Sequence, residues 1–281
     1  MKSINELRSI CQTTRPSIFT DFLSRFYYRT SIYFTYVFIL IGLSANQVTL
    51  LSGLVACFGG GLLASSDSTV ALFGVVCFHL FAILDMSDGE VARYRGEGGA
   101  SGHFLDWMMH FVSSAALMMG LFFSSVDTLS GLLMLPAILA ILIPVFDKSI
   151  SASTWTVVAW TRLRSQQRGE QATHTKSKQP KLRERSIVSR RLIFLMTCPL
   201  QDHWLPVLLL FAALADVVFS TVGLHFVDYR LFVLIYVGIV GLPYLSLRIF
   251  RIMKQDVLAD GHRRLFSPGR PVILPEDDFL G

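Results

Sequence analysis

Residues 84–110 read LDMSDGEVARYRGEGGASGHFLDWMMH. The stretch joins the end of one apolar run to the start of the next through a glycine-rich turn (Gly96, Gly98, Gly99). Asp85, Asp88, Glu90 and Arg93 lie on the first run, Asp106 and His110 on the second. Asp85, Asp88 and Ala92 stand at i, i+3 and i+7, which is one face of a helix. Asp106 and His110 stand at i and i+4, again one face. Two antiparallel helices joined by so short a turn bring those faces together. The fold expected here is therefore helical, with a charged site between two helices.

Outward from this stretch the chain is apolar. Its 281 residues are 52% hydrophobic and 16% charged, with a mean hydropathy of +0.53. An ordinary soluble domain carries roughly 25% charged residues. The composition excludes a soluble globular enzyme, a disordered chain and a coiled coil. Apolar segments at 46–65, 69–92, 102–123, 129–146, 204–223 and 231–247 approach the roughly 20 residues that a membrane helix needs. The expectation is an all-α integral membrane protein with six transmembrane helices. Ser52, Ala56 and Gly60 form a small-residue row suited to close helix packing. Pro136 and Pro144 are read as kinks.

Residues 1–44 read as interfacial amphipathic helices, with Phe19, Phe22, Phe26 and Tyr27 set against Arg25 and Arg29. The apolar run 31–43 is too short to span, and the N-terminus does not read as a cleavable signal. Residues 45–254 are then the membrane domain and 255–281 a cytoplasmic tail. Cys11, Cys57, Cys77 and Cys198 have no spacing that signals a disulfide framework or a zinc site.

The net charge is +5, yet 10 of the 25 basic residues fall between Arg162 and Arg191. In a membrane protein such a loop, at about 162–195, marks the cytoplasmic side before it marks nucleic acid, and no nucleic-acid partner is expected. The links 66–68, 124–128 and 224–230 hold only Arg230. The distribution places both termini, and the end near Asp88, in the cytoplasm.

Ionisable groups at membrane depth are costly and mark function by default. Three carboxylates converging in low dielectric need a counter-charge, and a divalent cation is the obvious one. Oxygen ligands favour magnesium, manganese or calcium over zinc. Gly89 and Gly102 leave room for a ligand to approach the backbone, and Arg93 is suited to a phosphate. The residues alone suggest a metal-dependent phosphate site at the cytoplasmic membrane surface.

Plainer readings stand beside this one. The carboxylates suit a buried polar network, and Arg93 suits a snorkelling contact to lipid phosphate. Asn46 and Thr49 suit helix capping. Glu90 and Glu97 read as solvated or paired with Arg93 or Arg95. Asp147 and Lys148 read as an interfacial anchor or an acceptor-phosphate contact, and Arg190 and Arg191 as headgroup contacts. Asp216 is expected to pair across helices. His103, His203 and His225 read as ordinary interfacial residues.

The pattern Asp85-x2-Asp88-Gly89-x2-Ala92-Arg93-x8-Gly102-x3-Asp106-x3-His110 closely resembles the signature of the class I CDP-alcohol phosphotransferase (CDP-alcohol phosphatidyltransferase) family. Seven of its eight fixed positions match. Asn46-Gln47-Val48-Thr49 resembles the family's Asn-x-x-Thr at the start of its first span, and the likeness extends over about residues 15–250. It implies six helices around a polar cavity open to the cytoplasm. It also implies transfer of a substituted phosphate from a CDP-linked donor, CDP-diacylglycerol foremost, to an alcohol of unstated identity, with release of CMP.

By the same resemblance Asp85, Asp88, Asp106 and His110 would hold one or two Mg2+ or Mn2+ ions. Asn46, Thr49, Asp88, Gly89, Ala92, Arg93 and Gly102 would line the cytidine diphosphate pocket. Membrane lipids are implied surroundings, and a homodimer is compatible. The family's final position is Asp, a metal ligand and general base, where this chain has His110. An imidazole can accept the acceptor's proton but is a poorer magnesium ligand. His110 as base, beside Asp106, is the expected catalytic pair. Two alternatives are kept. One is a CDP-choline- or CDP-ethanolamine-type phosphotransferase with a lipid acceptor. The other is a catalytically lapsed relative serving as a nucleotide-lipid-binding scaffold.

Overall fold

The computed structural model describes residues 3–12, 22–97, 99–167, 204–221 and 228–254. Among them every regular element is helical. In chain order these are α1 (Ile4–Cys11), α2 (Phe22–Leu40), α3 (Ala45–Leu63), α4 (Ser68–Arg95), α5 (Ala100–Ser125), a 3-10 turn at Gly131–Leu133, α6 (Met134–Gln167), α7 (Trp204–Thr221) and α8 (Tyr229–Lys254). Phe19, Arg190, Arg191, His203, His225, most of the basic loop and the tail lie outside the described residues.

Five segments are long and apolar enough to cross a membrane: Ala45–Leu63, Ser68–Arg95, Ala100–Ser125, Gly131–Thr154 and Tyr229–Phe250. The remaining expected span corresponds to a shorter apolar helix, Leu205–Thr221.

Local chemistry sets the helix ends. Ser44 starts α3 with a capping box: its Oγ accepts from Gln47 N–H, and Gln47 Oε1 accepts from Ser44 N–H at 2.9 Å. Ser44 therefore does the capping that the sequence reading allowed to Asn46 and Thr49, and the Thr49 hydroxyl is used on Asp88. Asp67 starts α4, accepting from Thr69 and Val70 N–H at 2.8 and 3.0 Å. Gly96 ends α4 at φ +69°, a left-handed geometry that favours glycine. Pro136 lies in the first turn of α6, where a missing N–H costs nothing, so it does not interrupt the helix as expected; Pro144 is inside it.

The chain divides into two compact units, Met1–Val145 with Pro199–Gly241, and Phe146–Cys198 with Leu242–Gly281. In the first unit, α3 packs along both α4 and α5, whereas α4 and α5 touch each other only sparsely. The cause is the surface of α3. Gly59 meets Gly74 and Cys77 of α4, and Gly60 meets Ala116 and Gly120 of α5. The small row Ser52, Ala56, Gly60 is buried, as its spacing suggested. α3 thus serves as the floor of a gap between α4 and α5. On the other side α2 lies along α4, burying Tyr27, Ser31, Thr35 and Phe38.

A Cβ on Gly60 would stand 2.5 Å from the Ala116 carbonyl oxygen and 2.9 Å from its carbon. Backbone cannot yield as a side chain can. Gly60→Ala is therefore expected to destabilise the protein by about 1–3 kcal/mol, read as a lower unfolding midpoint in detergent. Gly61→Ala, on open space, should leave the midpoint in place.

In the second unit Arg248 pairs with Asp147 and donates to Ser151 Oγ at 2.7 Å. Asp147 is thus paired with a residue 101 positions away in the chain.

Candidate functional site

The gap between α4 and α5 is where the charged residues meet. His110 Nε2 lies 3.5 Å from Asp85 Oδ1 and 3.6 Å from Asp106 Oδ1. The imidazole is edge-on to Phe81, with ring centroids 6.0 Å apart. All three side chains are half-buried. Helix periodicity explains the convergence. Asp106 and His110 are successive turns of α5, and Asp85 faces them from α4. The sequence placed these three together, and the structure does the same.

Asp88 faces the floor. Its Oδ2 accepts the Thr49 hydroxyl at 2.6 Å, and Asp88 is buried. It is not one of the three groups that converge. Asn46, on the same face of α3 as Thr49, comes to Gly102: a Cβ there would stand 3.4 Å from Asn46 Oδ1. Asn46, Thr49, Asp88 and Gly102 therefore line adjoining parts of the α3 floor and the α5 entrance. Ala92 packs against the buried cluster of Phe38, Val48, Leu84 and Val91.

Arg93 is half-buried, and its Nε donates to the Cys11 carbonyl at 2.7 Å. Its guanidinium covers Gly89, where a Cβ would meet Nη1 at 3.2 Å. The room that glycine leaves is thus filled by arginine, a movable group, beside Asp88. Glu97 stands 3.9 Å from Arg95, as expected, and also accepts from the Ala45 N–H at the start of α3.

Glu90 corrects the sequence reading. It is not solvated: its exposure is 0%. Its carboxylate accepts from Gln12 Nε2 at 2.7 Å, Ser31 Oγ at 2.7 Å and Thr35 Oγ1 at 2.6 Å. A buried carboxylate must find such partners. They lie 55 to 78 residues away in the chain, so no local pattern announces them. His103, read as merely interfacial, accepts from Trp107 Nε1 at 3.1 Å. Asp216 pairs across helices as expected, accepting from Ser68 Oγ at 2.5 Å.

The donor set suits a divalent cation. Two carboxylate oxygens and one imidazole nitrogen lie within 4.8 Å of one another. Ligands around one hexacoordinate ion at about 2.1–2.6 Å stand about 3–5 Å apart. The nitrogen shifts preference from magnesium toward manganese.

A model of the CDP-alcohol phosphatidyltransferase family matches residues 42–222. The chain belongs to this family. The match covers more than half of the 281 residues and includes the whole site. The chain is also similar to a ceramide phosphoethanolamine synthase of Drosophila melanogaster, with 33% identity over 88 residues. That stretch is 29% of this chain and 22% of the relative, so the chain spans about a fifth of that protein's length. Family membership and the apolar helices together make this a multi-pass membrane protein of the transferase class.

Proposed function

We propose that this protein transfers a substituted phosphate from a CDP-linked donor to an alcohol acceptor and releases CMP, in phospholipid biosynthesis. The observation that carries the reading is the convergence of Asp85, Asp106 and His110 at one point of the α4–α5 gap. Asp85, Asp88, Asp106 and His110 would hold one or two Mg2+ or Mn2+ ions there. When bound, such ions neutralise charge on the donor pyrophosphate and on departing CMP.

The chain's own groups do the rest. Arg93, Gly89, Ala92 and Gly102, with Asn46 and Thr49, hold the cytidine diphosphate. When its Nε2 is not given to a cation, His110 accepts the proton of the acceptor hydroxyl. The hydroxyl oxygen bonds to the donor phosphorus as the pyrophosphate P–O bond breaks, and CMP leaves with the electron pair. Thr49 fixes the Asp88 carboxylate by its hydrogen bond, so the site is set before substrate arrives. The site faces the cytoplasm in this reading, supported by Arg93 and Arg95 at its end of α4.

CDP-diacylglycerol is the first donor to test, by weight of the family. A second reading has its own observation. The similar ceramide phosphoethanolamine synthase favours a CDP-linked small alcohol, such as CDP-ethanolamine, used with a lipid acceptor. One experiment separates them: CMP release by purified protein in detergent, with Mg2+ or Mn2+. Each donor is paired with a panel of small alcohols and of diacylglycerol and ceramide. Release with CDP-diacylglycerol and a small alcohol supports the first reading, and release with CDP-ethanolamine and a lipid the second. Silence across the panel, with CDP still bound, leaves a nucleotide-binding scaffold.

A further inference from the structure

We infer that Glu90 is a positioning residue for donor binding: it ties the N-terminal helix to the back of α4 and so holds Arg93 over Gly89. The inference rests on the donor-phosphate role proposed above for Arg93.

Asp88 and Glu90 are two residues apart, so they leave α4 in nearly opposite directions. Asp88 reaches α3 through Thr49, and Glu90 reaches α2 and the end of α1. A buried carboxylate is costly, and well-packed apolar residues often serve stability as well or better. What the carboxylate adds here is a defined set of partners. Ser31 and Thr35 bring one face of α2, and Gln12 brings the residue just after α1.

Gln12 is held from both sides. Its Nε2 donates to the Tyr28 carbonyl at 2.6 Å, and its own carbonyl accepts the Tyr28 hydroxyl at 2.6 Å. One residue earlier, the Cys11 carbonyl accepts Arg93 Nε. The contacts therefore run in series from Glu90 to Gln12, to the Cys11 carbonyl, to Arg93, to Gly89. With Nε anchored on one side, the Nη1 and Nη2 edge lies along Gly89, at 3.2 and 3.7 Å from where a Cβ would stand. That edge is the one suited to a phosphate. Arg93 is also one turn from Glu90, an opposite-charge spacing that favours this rotamer.

The test is titration of the purified protein with CDP in the presence of Mn2+, beside CMP release. The variants are Glu90→Ala, Glu90→Gln, Gln12→Ala, Arg93→Ala and the Glu90→Ala/Arg93→Ala double. Arg93→Ala should weaken CDP by tenfold or more, and Glu90→Ala and Gln12→Ala by about tenfold. The double variant should bind no worse than Arg93→Ala alone, because both changes remove one interaction. Turnover at saturating donor should fall less than CDP affinity. Glu90→Gln should recover part of the affinity, since an amide oxygen in the place of Oε1 still accepts from Gln12 Nε2 and Ser31 Oγ. Losses that add in the double variant, or CDP affinity unchanged in Gln12→Ala and Glu90→Ala, would overturn the inference. If Glu90→Ala does not fold, Gln12→Ala carries the test, because it removes one amide at a half-buried position. A wild type that binds CDP with these dependences but releases no CMP refutes the transfer reading alone. A wild type that does not bind CDP refutes both.

Discussion

Asp106→Asn is expected to lower CMP release by about a hundredfold to a thousandfold while leaving the fold as stable as before. The replacement keeps the shape of the side chain and removes one charge. Asp106 Oδ1 stands 3.6 Å from His110 Nε2, and its side chain is 31% exposed, so no core packing is lost. Asp85 reaches the same nitrogen from α4, so two like charges share one small site. Without a cation, removing one of them relieves repulsion. The unfolding midpoint of the metal-free variant should therefore equal or exceed that of wild type. Activity and stability move in opposite senses, as they do where a site is held for function. Divalent cations supply a second readout. A ligand that binds only the folded state raises its stability, so Mn2+ should lift the wild-type midpoint and lift that of Asp106→Asn far less. Release within twofold of wild type in Asp106→Asn, with an undiminished Mn2+ shift, would show that the α4–α5 gap is not the site.

The helical class and the convergence of Asp85, Asp106 and His110 were legible because helix periodicity is a local property. Asp85, Asp88, Asp106 and His110 could be assigned to facing sides from their spacing alone. The apolar runs came close to the limits of α3 and α4, whose ends Ser44, Asp67 and Gly96 set, whereas α6 runs on to Gln167, past the expected 146, through residues too polar for an apolar run to mark. What spacing does not show is which helix neighbours which. Asp85 and His110 meet across a gap between helices that scarcely touch, because the small residues of α3 draw both α4 and α5 onto its surface. The pairing of Asp88 with Thr49 across 39 residues is equally hidden from periodicity. Only the resemblance of Asn46-Gln47-Val48-Thr49 to a family motif pointed to it. Glu90 shows the limit most plainly. Arg93 and Arg95 nearby suggested a local ion pair, whereas the hydrogen-bond donors to its carboxylate lie on α2 and just past α1. The Cys11 carbonyl that holds Arg93 is a backbone atom, and no side-chain pattern encodes it.

His110→Ala is expected to lower CMP release by about a hundredfold or more, the usual contribution of a positioned general base. His110→Asp should keep substantial activity while changing the metal preference. Both outcomes follow from where one nitrogen sits. Nε2 faces Asp85 and Asp106 at nearly equal distances. A nitrogen whose lone pair is given to a cation has none left for the acceptor's proton, so Nε2 cannot serve both ends in the same step. The two roles leave different marks. If His110 acts as base, His110→Ala should need the same cation concentration for half-maximal activity as wild type, with only turnover reduced. If it acts as ligand, the cation requirement should rise along with the loss of turnover. An aspartate at 110 replaces the nitrogen with oxygen, and an all-oxygen set favours magnesium over manganese relative to the mixed set. The ratio of Mg2+- to Mn2+-supported CMP release should therefore increase in His110→Asp. A wild type that releases no CMP beside a His110→Asp variant that does would make His110 the lesion of a lapsed enzyme. An unchanged metal ratio in an active His110→Asp would show that position 110 lies outside the coordination shell, leaving proton transfer as its role.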